Sequence, residues 1–208
     1  MKLPILSRQY IDLTVSADQS SSTDINNDQP NTPDKSLPKV DSSSLPPWLS
    51  VAKGFLGLEE APGAADNDTI VGWASEIGGD VNWYNHDSIP WCGLFASLCM
   101  FRCKIDPPEK PLSALNWKEF GDELKEPCLG AVMVFKRVGG GHVAFYVSED
   151  DDSYHLLGGN QHDCVCIGKH DKDSLVSIRW PSGYDQYKGS GPIIKEFDGE
   201  EMTSEQQQ

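Results

Sequence analysis

No hydrophobic run in this chain approaches the roughly 20 apolar residues needed to cross a bilayer as a helix. At the N-terminus, Pro4 and Arg8 interrupt the few apolar positions. Neither a helical membrane anchor nor an ordinary cleaved export signal is expected, so action beyond the cytoplasm would need another delivery route. Basic charge is also scarce: 17 Lys and Arg stand against 32 Asp and Glu, a formal net charge of −15. Such a field repels phosphate backbones and anionic lipid, and no basic cluster interleaved with aromatics offsets it. Nucleic acid and membrane surfaces are therefore not expected partners. The six cysteines fall largely within apparent helices and strands, so they do not read as a disulfide framework, and synthesis in a reducing compartment is the simpler expectation.

What is present is enough for one folded domain with polar ends. Residues 1–46 read as a disordered arm, because Ser16 to Ser44 is dominated by Ser, Asp, Asn, Gln, Thr and Pro with little to bury. Residues 192–208 read as a disordered acidic tail. Between them, residues 47–191 carry the periodic patterns. Helices are expected from Pro47 to Gly57, from Asp66 to Ile77 and from Cys92 onward, with a short one across Ser113 to Phe120. After Gly130 the period changes to that of strands: Ala131–Lys136, His142–Val147, Tyr154–Leu157, Val165–Gly168 and Val176–Trp180. Helices first and an antiparallel meander second predict an α+β domain with segregated layers.

Chemistry concentrates at two places. Ile89-Pro90-Trp91-Cys92-Gly93-Leu94-Phe95-Ala96 is a turn that delivers a thiol to the start of an apolar helix. There the unsatisfied N–H groups and the positive dipole end favour thiolate. Positions 92, 95, 96, 99 and 103 share one helical face, which assigns Cys99 and Cys103 to the core and leaves Cys92 at its end. Fifty positions later, Gly139-Gly140-Gly141-His142-Val143 sets a histidine between a flexible turn and a strand. A thiol on a helix N-terminus and a histidine on a facing strand are the halves of a nucleophile–base pair. His86, His155, His162 and His170 read as ordinary surface or core histidines.

A base works best when a third group fixes its tautomer. Gly158-Gly159-Asn160-Gln161 ends the strand expected to pair with that of His142, which makes Asn160 the first candidate, with Gln161 and Asp163 as substitutes. The same Gly-Gly-Asn sequence also suits an ordinary hairpin turn. In the loop before the cysteine, Trp83 and Tyr84 are candidates to stack on substrate, with Trp91 and Gln161 as further candidate substrate contacts; burial as loop anchors is the competing reading. Cys164-Val165-Cys166, with His162 and His170 nearby, lacks a usual zinc spacing. No metal or organic cofactor is expected.

These motifs recur together in a known order. Pro46-Pro47-Trp48-Leu49, Pro90-Trp91-Cys92, Gly130-Ala131-Val132-Met133-Val134-Phe135, Gly141-His142-Val143-Ala144-Phe145-Tyr146-Val147, Leu157-Gly158-Gly159-Asn160-Gln161 and Arg179-Trp180-Pro181 resemble a bacterial and phage group within the NlpC/P60 and CHAP superfamily of papain-like cysteine peptidases. The resemblance spans about 47–182. It implies a papain-like fold and hydrolysis of stem-peptide amide bonds in peptidoglycan, with Cys92 as nucleophile, His142 as base and Asn160 as orienting residue. The expected protein is a monomer, made in the cytoplasm without a classical signal peptide and reaching the periplasm or cell wall through a holin or a dedicated secretion apparatus. A phage endolysin and an antibacterial effector both fit; an immunity or inhibitor protein, or a secretion or tail component, is the implied partner beside the stem peptides. The same residues leave open a thiol protease, deamidase or acyltransferase acting on protein, and a non-catalytic virion or tail module.

Overall fold

The computed structural model describes residues 45–195. The expected disordered arm lies outside the described residues apart from Leu45 and Pro46, and the acidic tail does so from residue 196. Residues 192–195 depart from the expectation of a tail. Glu149 N–H donates to Ile193 O at 2.8 Å and Lys195 N–H donates to Glu149 O at 2.9 Å, so this segment is pinned to the sheet.

Among the described residues three α-helices precede the main strands: α1 (Pro47–Lys53), α2 (Asp68–Ile77) and α3 (Cys92–Arg102). Pro47 opens α1 where a missing N–H costs nothing. The Asn67 side chain caps α2 by accepting from Thr69 N–H at 2.9 Å. The expected helix near Trp117 is a 3-10 turn, Ala114–Glu119. Strands β1 (Asp122–Glu123), β2 (Val132–Arg137), β3 (Gly140–Glu149), β4 (Ser153–Gln161), β5 (Cys164–Asp171) and β6 (Leu175–Trp180) form one antiparallel sheet. Its order is β1-β6-β2-β3-β4-β5. Only β2 to β5 form the expected meander, because β6 returns to pair with the free edge of β2. The α+β class is thus present, with helices and sheet sharing one core. No helix among the described residues is long and apolar enough to cross a membrane.

Aromatic side chains fill the interface between the layers. Trp73 packs against Phe55, Phe95 and Trp91 at ring separations of 5.2, 5.6 and 5.8 Å. Trp48 donates its indole N–H to Gly130 O at 2.7 Å, tying α1 to the turn before β2. Two glycines let backbone approach where no side chain fits. A Cβ on Gly93 would lie 2.2 Å from Pro111 O, and one on Gly159 would lie 2.5 Å from the Trp91 ring. The second contact brings the end of β4 directly against the start of α3.

β4 is longer than the sequence pattern suggests. It continues through Gly158 to Gln161, and the two-residue turn to β5 is His162-Asp163, both at positive φ as such tight hairpins require. Gly159 and Asn160 form a bulge between the Gly158–Cys166 and Gln161–Cys164 pairs, with Asn160 at φ +56°. That bulge decides which of the two neighbouring amides reaches the histidine.

Candidate active site

Cys92 is the first residue of α3 and is 3% exposed. α3 packs on β3 and β4, and the Val143 N–H points at the Cys92 thiol. The thiol therefore sits against the strand step that carries His142. The start of α3 and the strand that carries His142 share this part of the layer interface.

The turn before Cys92 is held on several sides. Trp91 N–H donates to Asn160 Oδ1 at 3.2 Å, and the Trp91 indole N–H donates to Glu60 Oε1 at 2.6 Å. Asn160 Nδ2 donates to the same Glu60 oxygen at 3.0 Å. Asp87 Oδ2 accepts from Ala61 N–H and Asn67 N–H, which fastens the loop after Glu60 to the loop before Cys92. Burial pushes the Glu60 carboxyl up, with Asp163 and Asp87 adding to it and the Trp91 bond opposing.

His142 is 1% exposed. Its Nε2 lies 3.1 Å from Gln161 Oε1, while its Nδ1 is buried without a hydrogen-bond partner. His170 Nε2 lies 2.8 Å from the same Gln161 oxygen, and its ring stacks on that of His142 with centroids 4.8 Å apart and 9° between planes. Gln161 Nε2 donates to the carbonyls of Leu156, Gly158 and Cys166 at 3.1, 3.4 and 2.6 Å. A nitrogen facing three carbonyls fixes the amide orientation, so Oε1 must accept from both rings. His142 accordingly carries its proton on Nε2 and keeps the Nδ1 lone pair free.

The sequence reading of the third residue is corrected here. Asn160 points its amide to Trp91 N–H and Glu60, because the bulge turns it away from β3; the substitute Gln161 is the residue that holds His142. Asp163 sits in the β4–β5 turn, where its carbonyl accepts from Glu60 N–H. The candidate substrate contacts divide. Trp83 is 61% exposed and available. Tyr84 is buried and donates its hydroxyl to Ile89 O at 2.9 Å, and Trp91 is fully buried. Gln161, also fully buried, serves the histidines. Tyr84 and Trp91 are anchors of the turn, since each polar tip already has a protein partner.

Electrostatics also departs from the sequence expectation. Burial dominates and pushes the Cys92 thiol up, although Arg137 and the N–H groups of Val143, Gly93 and Cys92 pull the other way. Burial likewise pushes His142 down to about 3, with Arg137 adding to the shift and the Gln161 bond opposing it. His170 moves down for the same first reason, helped by His142 and Arg137. The resting pair is neutral thiol and neutral imidazole, suited to general-base catalysis during attack. The helix terminus alone does not prepare a thiolate.

Three site residues escaped the sequence reading. His170, set aside as ordinary, shares Gln161. Glu60 and Arg137 belong to none of the motifs the sequence offers. Among the described residues there is no cluster of three or more His, Cys, Asp or Glu arranged to hold a metal. No protein-family model and no curated protein matches this chain.

Proposed function

We propose that the protein is a papain-like cysteine hydrolase of the NlpC/P60–CHAP kind, cleaving stem-peptide amide bonds of peptidoglycan. The observation that carries this reading is the pinned Gln161 amide. It holds the proton of His142 on Nε2 and leaves Nδ1 free on the strand step that touches the Cys92 thiol. An amide locked by three backbone carbonyls is a costly way to orient a core histidine, and an effective way to orient a base.

In the proposed reaction His142 Nδ1 takes the Cys92 proton as sulfur attacks the amide carbonyl carbon. The tetrahedral oxygen is stabilised by the Cys92 backbone N–H in the unsatisfied first turn of α3. The C–N bond breaks as His142 returns the proton to the leaving amine. Water, deprotonated by His142, then hydrolyses the thioester and regenerates the thiol. Gln161 holds the imidazole throughout. Trp83, exposed in the loop before Cys92, is the aromatic surface available to substrate.

An endolysin and a delivered antibacterial effector are the two roles proposed, with stem peptides as substrate and an inhibitor or delivery component as partner. The test is mass spectrometry of purified peptidoglycan incubated with the protein and with Cys92→Ala. Soluble fragments formed only by the unsubstituted protein are expected, and their masses name the bond. Sacculi left intact by both proteins, with folding verified, would overturn the wall-hydrolase reading.

A further inference from the structure

Arg137 ends β2, diagonally across the ladder from His142. In the β2–β3 register Phe135 faces His142 and Arg137 faces Gly140. Residues two apart on a strand share a face, so Phe135, Arg137 and His142 project to the same side of the sheet. Phe135 in turn lies 5.3 Å from the His170 ring. The Arg137 side chain thus leaves from the sheet face that carries His142, and its charge acts on Cys92, His142 and His170.

Its bonding is unusual for this chain. Of the three arginines among the described residues, Arg102 pairs with Glu76 through two bonds and Arg179 donates to the carbonyls of Phe120 and Gly121. Arg137 has no hydrogen bond or ion pair there, and its Nη1 is buried without a partner. This occurs in a protein with 32 carboxylate residues. Glu60, Asp66 and Asp87 gather around Tyr84 and the Trp91 turn. A desolvated guanidinium nitrogen is costly unless something pairs with it. Across from Arg137 the hairpin is open: a Cβ at Gly139 or Gly140 would meet nothing within 4 Å.

We infer that Arg137 is a substrate-binding residue for a carboxylate carried next to the scissile amide. The planar fork of arginine suits bidentate recognition of that group. The inference rests on the hydrolase reading for its substrate and names the substrate class: a peptide with a free carboxylate beside the bond cut. It also couples binding to chemistry. An unpaired cation beside His142 opposes imidazolium, so a bound carboxylate offsets that opposition when the base takes its proton. Two sources offer this chemistry: the free α-carboxylate of a γ-linked acidic residue, and the C-terminal carboxylate of the departing residue.

The first test needs no substrate. Cys92 is alkylated with iodoacetate and with the neutral, nearly isosteric iodoacetamide, and the Cys92 peptide is quantified by mass spectrometry against free glutathione. The expected result is a preference for iodoacetate that falls on the order of tenfold in Arg137→Gln, with Arg137→Lys between. Taking the ratio removes any change in thiol nucleophilicity common to both reagents. An equal ratio in unsubstituted protein and Arg137→Gln overturns the inference. Arg137→Gln removes no protein hydrogen bond, so it should fold, and circular dichroism verifies that. Synthetic stem peptides bearing acid or amide at each of the two positions then assign the source. Loss of cleavage on amidation at one position, with little further loss in Arg137→Gln, identifies it, whereas cleavage indifferent to both amidations overturns the inference. An Arg137-dependent iodoacetate preference with no peptide cleaved upholds the anion site and removes the hydrolase reading.

Discussion

Replacing Gln161 by leucine separates its role from that of its neighbour. In Gln161→Leu the buried N–H groups of His142 and His170 lose their shared acceptor, and the carbonyls of Leu156, Gly158 and Cys166 lose a donor. Each orphaned buried group costs about 1–3 kcal/mol, so the two rings alone set a scale of about 2–6 kcal/mol. His142 has an escape, because its proton can move to the unpartnered Nδ1. That relaxation recovers part of the stability and removes the base. The expected outcome is a loss of about 2–3 kcal/mol in urea unfolding, with Cys92 alkylation at neutral pH slowed by about 100-fold or more. Asn160→Ala cuts different bonds, to Trp91 N–H and Glu60. It should cost about 1–2 kcal/mol and leave the Cys92 rate within a few-fold of the original. The assays are urea titration at constant m and rate measurements on the Cys92 peptide. An Asn160→Ala protein with an unreactive thiol, beside a Gln161→Leu protein of normal reactivity, would refute the assignment.

Acid should destabilise the fold through its buried histidines. His142 falls from an ordinary value of 6.5 to about 3 on folding, so between those values the unfolded chain binds the extra proton. This contribution is complete above about pH 6.5 and is lost as pH falls, by about 2 kcal/mol at pH 5; urea midpoints at pH 8 and pH 5 measure it. His170 shifts in the same direction, so His170→Phe, which keeps an aromatic ring against His142, should show a smaller loss over the same interval. An unchanged pH dependence would mean that His170 is not held neutral by burial. Gly159→Ala places a Cβ 2.5 Å from the Trp91 ring and 2.7 Å from Phe95 Cβ. It should cost about 1–3 kcal/mol and disturb the Cys92 turn, read as a lower melting temperature and a slower thiol. Trp83→Ala should change stability by less than about 0.5 kcal/mol, as an exposed loop position, while raising KM for wall fragments; an unchanged KM removes Trp83 from the substrate surface.

Periodicity and turn chemistry made the order of elements legible. The Pro47 start, the apolar stripe of α2 and the change of period after Gly130 each have a local cause. The return of β6 to β2 was not legible, because strand order depends on which edge remains free once β2–β5 have paired. Cys92 and His142 stood out because their types, flanks and order are informative on their own. The choice between Asn160 and Gln161 was not, since a bulge shifts which of two adjacent amides faces the neighbouring strand, and no local rule places a bulge at Gly159. Glu60, Arg137 and His170 are brought in by long-range packing: Glu60 lies 100 positions from its partner Asn160. The expectation of a helix-activated thiolate failed for a related reason. A helix N-terminus is visible in sequence, whereas the burial that outweighs it is a property of the assembled core.

The claim on which the rest depends is that His142 activates Cys92. Its most direct test is the iodoacetamide rate at Cys92, with Cys99 as internal reference, in the native protein and in His142→Ala across pH 5–9. Cys99 is fully buried and should react only when the protein opens. Cys92 is expected to react far faster than Cys99 near neutrality, and His142→Ala is expected to abolish the difference without unfolding the protein. A Cys92 no faster than Cys99, or a rate indifferent to His142, would rule out activation by His142 and leave a silent module of this fold.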